Sequence, residues 1–116
     1  MKFTRTHEWI SFENIVGITQ FAQKELGDVV YVELPEEGAQ VEAGVAVAVL
    51  ESTKAASDIY SPVSGKITAV NQLLKERPEL INQSPEDKGW IFKIEPSKPK
   101  EMEKLLSADT YHEMFE

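Results

Sequence analysis

Short apolar runs rich in β-branched residues, interrupted by glycine, proline or a polar pair, set the hydrophobic pattern of this chain. Trp9-Ile10-Ser11-Phe12 and Ile15-Val16-Gly17-Ile18 flank Glu13-Asn14, which predicts two short strands joined by a tight turn. Thr19 stands where it can cap a short helix running to Leu26, and Gly27 where it can end that helix in a left-handed conformation. Val29 to Leu34 alternates Val30, Val32 and Leu34 on one face and stops at Pro35, which has no N–H for a ladder; it reads as a strand. Glu36-Glu37-Gly38 turns the chain and Val41 lies in a brief extended piece. After Ala43-Gly44, the run Val45 to Leu50 is apolar on both faces, the pattern of a strand held inside a core.

Asp58 to Val63 and Lys66 to Val70 read as two further strands interrupted by Ser64-Gly65. Lys54 therefore falls at the tip of a β-hairpin. Pro35-x-x-Gly38 and Pro62-x-x-Gly65 repeat one turn chemistry on either side of it, which favours a sandwich of two similar halves. Asn71 to Arg77 reads as a short helix limited by Pro78, and Trp90 to Ile94 as the final strand. Met102, Leu105 and Leu106, then Tyr111, Met114 and Phe115, fall at helical spacing, with Ser107 as a cap between them, and read as core.

Composition narrows what such a fold serves. With 116 residues and 41% hydrophobic content the chain suits one compact domain spanning 1–116. A net charge of −8 and a pI near 4.8 argue against a nucleic-acid role, because phosphate binding depends on clustered Lys and Arg. The absence of cysteine excludes a disulfide framework, a Cys-based zinc site and a cysteine nucleophile, so any redox chemistry falls to a cofactor. Residues 1–8 lack an apolar signal core, and no run approaches the ~20 apolar residues that span a bilayer. The expectation is a soluble cytoplasmic protein with no membrane association.

Lys54 is the candidate for chemistry. Ser52, Thr53, Ala55, Ala56 and Ser57 put little bulk around its amine, so an enzyme can approach from most directions. Three readings stay open on spacing alone: a solvated turn lysine, a Schiff-base nucleophile, or the attachment point of an acyl arm. The nucleophile needs burial or a neighbouring cation, and Glu51 and Asp58 supply neither. Other motifs are incomplete. His7-Glu8-Trp9-Ile10-Ser11 lacks the second histidine of a zinc helix, Gly65-Lys66 lacks the upstream glycine of a P-loop, and Ser52-x-Lys54 has the wrong spacing for a Ser-x-x-Lys hydrolase. With His7 and His112 as the only histidines, no dedicated transition-metal site is expected; His7 reads as structural and His112 as solvated.

The stretch Glu51 to Gly65 resembles the lipoyl-attachment segment of the H proteins of the glycine cleavage system. The resemblance runs along nearly the whole chain: Thr6-His7-Glu8-Trp9, Val16-Gly17-Ile18-Thr19, Ala22-Gln23, Leu26 to Pro35, Pro78-Glu79-Leu80-Ile81-Asn82 and Gly89-Trp90 all stand where that family has them. Biotin sites typically place methionine on both sides of the lysine, and 2-oxoacid dehydrogenase acyltransferases usually place aspartate before it. Here the flanks are Thr53 and Ala55.

The resemblance implies a mainly β barrel-sandwich hybrid with short flanking helices and a helical C-terminus, and lipoic acid amide-linked to Lys54. It implies a carrier and not a catalyst. A glycine decarboxylase (P protein) loads the arm with an aminomethyl group, an aminomethyltransferase (T protein) passes the carbon to tetrahydrofolate, and dihydrolipoamide dehydrogenase (L protein) reoxidises the arm. A lipoyl or octanoyl transferase attaches it. Glu8, Ile18 and Asp58 match positions that line a groove sheltering the loaded arm from water, where carboxylates can hold a cationic amine; otherwise Glu8 and Asp58 are solvated carboxylates or caps. A carrier visiting several enzymes is expected to be monomeric. The sequence departs from the family in its short Glu13-Asn14 turn, in Glu25 where a histidine can contribute to the groove, and in Thr53 in place of the commoner valine. Two other uses stand beside the carrier: a lipoyl donor or relay for other lipoylated complexes, and an independent catalyst with Lys54 as nucleophile.

Overall fold

A computed structural model, which describes residues 1–115, forms its strands largely where the apolar runs lie. In chain order these are β1 (Lys2–Phe3), β2 (Glu8–Ile10), β3 (Ile15–Ile18), α1 (Gln20–Leu26), β4 (Val29–Glu33), β5 (Gln40–Val41), β6 (Ala46–Ser52), β7 (Ala56–Tyr60), β8 (Gly65–Val70), α2 (Leu80–Gln83), β9 (Phe92–Pro96), β10 (Leu106–Ser107) and α3 (Ala108–Phe115). Two 3₁₀ turns, Gln72–Lys75 and Pro99–Lys104, complete them. The strands form two antiparallel sheets. One runs in the order β10-β1-β2-β3-β9-β8-β5 and the other is β4-β6-β7.

The main core includes Ile18, Leu50, Ile59, Ile67, Leu74 and Ile94. A smaller cluster of Phe3, Trp9 and Tyr111 joins the two ends of the chain. The two-sheet, mainly β architecture matches the expectation. So do the hairpin around Asn14, which takes a φ of 65° that asparagine tolerates, and α1 with its Thr19 cap.

Several local expectations fail for identifiable reasons. Register shifts between Val29 and Tyr31 in the β4–β6 ladder, so the face changes mid-strand. Val29 and Val32 point into the core, while Val30 is 56% exposed and does not share a face with Val32. The run at Val45–Leu50 is not buried on both faces: Ala48 and Leu50 are buried, Val47 and Val49 are half-buried, and Val45 is exposed.

The Pro-x-x-Gly pairs are not equivalent turns. Gly38 is needed for a φ of 90°, whereas Gly65 is needed for close approach, since a Cβ there would lie 2.1 Å from the Glu95 carbonyl oxygen. The strand expected from Trp90 begins only at Phe92, because Asn71 takes the preceding carbonyls: its Nδ2 donates to Trp90 O and its N–H to Ile91 O. Nor is it the final strand, and the C-terminal helical pattern is broken, because Leu106 and Ser107 pair with Phe3 and Lys2. Ser107 does cap α3, its Oγ accepting from Thr110 N–H at 3.2 Å. Of the C-terminal apolar residues Tyr111 is buried, but Met114 is 42% exposed and not core.

The chain passes from β7 in the small sheet to β8 in the large one through Ser61–Ser64, a segment with all four residues buried. Its polar groups therefore need partners inside the protein. Ser61 N–H donates to Val45 O, Ser61 Oγ to Val63 O, and Ser64 N–H and Oγ to the carboxylate of Glu101. The hydrogen bond from Ser64 N–H is the main reason the Glu101 carboxyl lies below the usual range, aided by Lys98 and Lys104. This crossing fixes where β7, and with it the Lys54 hairpin, leaves the core.

Candidate functional site at the Lys54 hairpin

Strands β6 and β7 pair from Leu50–Ser57 and Glu51–Ala56 outward, leaving Thr53 and Lys54 at the tip. Ser52 fixes the turn. Its N–H donates to Ala55 O at 2.9 Å, and its Oγ accepts from the N–H groups of Lys54 and Ala55, each at 3.1 Å. A serine hydroxyl that bonds backbone two and three residues on is a local turn device, so the lysine backbone is held without neighbours crowding its side chain. Thr53 N–H donates to Asp28 O at 3.1 Å, which docks the tip on the corner between α1 and β4.

Lys54 is exposed, and its stem lies across Gly27. A Cβ at that glycine would sit 3.3 Å from Lys54 Cε and 3.7 Å from Cδ and Nζ. Gly27 ends α1 as expected, but its backbone at φ 83° and ψ −162° is extended and not left-handed helical, a region open essentially only to glycine. Its N–H donates to Gln23 O. Asn82 of α2 holds the same corner: its Oδ1 accepts from Val29 N–H at 2.8 Å, and its Nδ2 donates to Gly27 O at 2.8 Å and Gln23 Oε1 at 3.0 Å.

Glu8 and Ile18 face each other across the β2–β3 ladder, and both are buried, at 1% and 2% exposure. Glu8 is thus neither solvated nor a helix cap. Its Oε1 accepts from the hydroxyls of Thr4 and Thr6, and its Oε2 from Tyr60 N–H at 3.1 Å. Burial pushes the Glu8 carboxyl above the ordinary range, and these hydrogen bonds oppose the shift. Asp58, two residues before Tyr60 on β7, is exposed. The Glu8–Tyr60 bond therefore carries Glu8 to the strand bearing Asp58, with Lys54 at the other end of that hairpin.

His7, with φ 74°, has the structural role expected of it: Nδ1 lies 2.7 Å from Tyr111 Oη, which lies 2.7 Å from Thr19 Oγ1. Its ring packs against Phe21 and Phe115. Burial lowers the His7 pKa, and the charge of Glu25 opposes the shift, so Glu25 acts on this side of α1. His112 is exposed, with its ring 5.9 Å from Phe3.

Sequence reasoning placed Lys54 at the hairpin tip, where it lies, but missed the groups that seat that tip, namely Ser52 as a turn-former, Gly27 as the surface under the stem, and Asn82. Their signal was present only as residues matching the family without an assigned role. The exposed lysine at the tip of an antiparallel hairpin in a two-sheet, mainly β fold has the arrangement of the barrel-sandwich hybrids that carry cofactors. Lys54 is exposed between the small residues Ser52, Thr53, Ala55 and Ala56, so the residues fit an amide-linked arm.

The family model described as glycine cleavage H-protein matches residues 1–116, and the chain belongs to that family. It is 55% identical over 115 residues to the glycine cleavage system H protein of Thermotoga maritima, covering 97% of this chain and 93% of that one. Against the H protein of Thermus thermophilus it is 54% identical over 117 residues, covering 98% and 91%. The crystal structure of a glycine cleavage system H protein from Mycobacterium marinum superposes with a TM-score of 0.88 at 36% identity, covering 97% of this chain and 94% of that chain. Proteins of this family are lipoate-bearing and work with the other components of the glycine cleavage system.

Proposed function

We propose that this chain is the lipoyl-bearing carrier of the glycine cleavage system, with its arm amide-linked to Lys54 and residues 1–116 acting as one carrier domain. The observation that carries the reading is the seated hairpin: an exposed lysine whose turn is fixed by Ser52 and docked through Thr53 on Asp28, in a chain of the H-protein family. When attached, a lipoyl group supplies the disulfide that is reduced as it takes up the aminomethyl carbon of glycine and is later reoxidised. The chain itself contributes attachment, presentation and shelter. Its role is that of carrier and not catalyst.

Lys54 supplies the amide nitrogen, and acylation removes its charge. Asp58, exposed on β7, is available to hold a cationic amine by a charge-assisted hydrogen bond. Glu8, buried opposite Ile18, fixes the end of β7 through Tyr60 N–H. The partners in this reading are the glycine decarboxylase, the aminomethyltransferase, dihydrolipoamide dehydrogenase and a lipoyl or octanoyl transferase, visited by a monomer in the cytoplasm. Among the described residues no helix is long and apolar enough to cross a membrane.

Reconstitution tests the reading. Lipoylated wild type, mixed with the decarboxylase, aminomethyltransferase and dehydrogenase of a bacterial system, supports glycine-dependent NADH formation, and Lys54→Arg does not. A lipoylated wild type that supports no turnover but passes its lipoyl group to other acceptor domains would replace the carrier with a lipoyl relay.

A further inference from the structure

Three consecutive residues of the α1–β4 corner meet three of the hairpin in antiparallel order. Gly27 lies under the stem of Lys54, Asp28 O accepts from Thr53 N–H, and Val29 pairs with Ser52. Apart from the ladder pairing of Ser52 with Val29, Thr53 N–H is the tip group that bonds outside the turn, since the N–H groups of Ser52, Lys54 and Ala55 bond within it. Where Lys54 sits relative to the sandwich thus depends on where residues 27–29 sit. Gly27 has no side chain to hold its end of the corner, whereas Val29 at the other end is buried in the core.

Asn82 holds both ends of the triplet with a single side chain. Its amide donates to Gly27 O and accepts from Val29 N–H, at 2.8 Å each, and its second N–H goes to Gln23 Oε1. Donor and acceptor lie in one rigid amide plane, so the separation of Gly27 O and Val29 N is set by covalent geometry. The backbone of α2 that carries Asn82 is anchored in turn by the buried Leu80 and Ile81.

We propose that Asn82 is the positioning residue of the attachment lysine, holding the Gly27–Val29 corner on which the hairpin is seated and thereby setting how readily a modifying enzyme captures Lys54. The inference rests on Lys54 being the attachment point. The hydrogen bonds of Asn82 go to Val29, Gly27 and Gln23 and not to Lys54, so it acts on capture of the apoprotein and not on bond formation. An apoprotein with a loosened corner offers the lysine in many orientations, of which the enzyme accepts a fraction, and KM rises by the inverse of that fraction.

The test compares wild type, Asn82→Ala and Gln23→Ala apoproteins in two assays. In steady-state lipoylation by a purified lipoate ligase with lipoate and ATP, Asn82→Ala raises KM for the apoprotein about tenfold with kcat within about twofold, the scale set by one or two lost hydrogen bonds. Gln23→Ala, which removes only the contact not aimed at the corner, leaves both constants at wild-type values. In amide exchange on the folded apoprotein, Asn82→Ala speeds Thr53 N–H about tenfold or more while Ile94 N–H, bonded to Asn14 O in the core, keeps its protection.

Equal KM and equal Thr53 protection in Asn82→Ala and wild type would overturn the proposal. So would an equal loss at Thr53 and Ile94, which would make Asn82 a general stabiliser. If Asn82→Ala does not fold, Asn82→Asp keeps the acceptor for Val29 and loses both donors, and the same shifts are expected in smaller measure. A wild type that takes up no lipoyl group overturns the carrier reading, and the exchange experiment still decides the role of Asn82 in seating the hairpin.

Discussion

Glu8 is buried at 1% exposure with three donors aimed at its two oxygens, and what it does follows from the balance between them. Desolvation outweighs the hydrogen bonds and raises its pKa. A carboxyl whose folded pKa lies above its unfolded value contributes stability that is full below the unfolded pKa and is lost as pH rises through the folded one. Glu8→Gln removes that titration. Its amide oxygen can still accept from Tyr60 N–H, and the Thr4 and Thr6 hydroxyls can turn to accept from its NH₂. Urea denaturation of wild type between pH 4 and 8 therefore shows a decline in stability above the normal carboxylate range that Glu8→Gln lacks; superimposable profiles would contradict this account. The place of Lys54 at the hairpin tip was legible because the turn and its flanking strands are contiguous in sequence. The environment of Glu8 was not, because Tyr60 N–H comes from 52 residues away.

Among the elements, period failed where the ladder does. The alternation at Val29–Leu34 predicts Val30 and Val32 on one face, but the irregularity between Val29 and Tyr31 puts Val30 in solvent and Val32 in the core at 3% exposure. Val32→Ala is accordingly expected to cost about 2 kcal/mol and Val30→Ala less than about 0.5 kcal/mol in chemical denaturation. Equal costs would mean that the strand alternates regularly. The β2–β3 and β6–β7 hairpins and the capped α1 were readable because turn chemistry and apolar pattern agree there. β1 and β10 have two residues each and α2 has four, too few to show a period. They form because partners distant in sequence complete them: Phe3 pairs with Leu106, and Leu80 and Ile81 are buried in the main core.

For the molecule as a whole, the ends of the chain close one edge of the large sheet and the lysine hairpin extends the small one. A radius of gyration of 13.0 Å is that of a compactly folded chain of this length. The mainly β plan was legible from the spacing of strands and turns and its two-sheet form from the family resemblance, whereas the assignment of each strand to its sheet was not, because the crossing at Ser61–Ser64 depends on Glu101, 37 residues beyond Ser64. All of these contacts converge on a fixed mount for one side chain. Its occupancy is the central claim, and intact mass with fragmentation measures it directly. After incubation with lipoate ligase, lipoate and ATP, the wild type is predicted to gain one lipoyl group, mapped to Lys54, and Lys54→Arg none. An unmodified wild type, or a lipoyl group mapped to another lysine, would contradict the account.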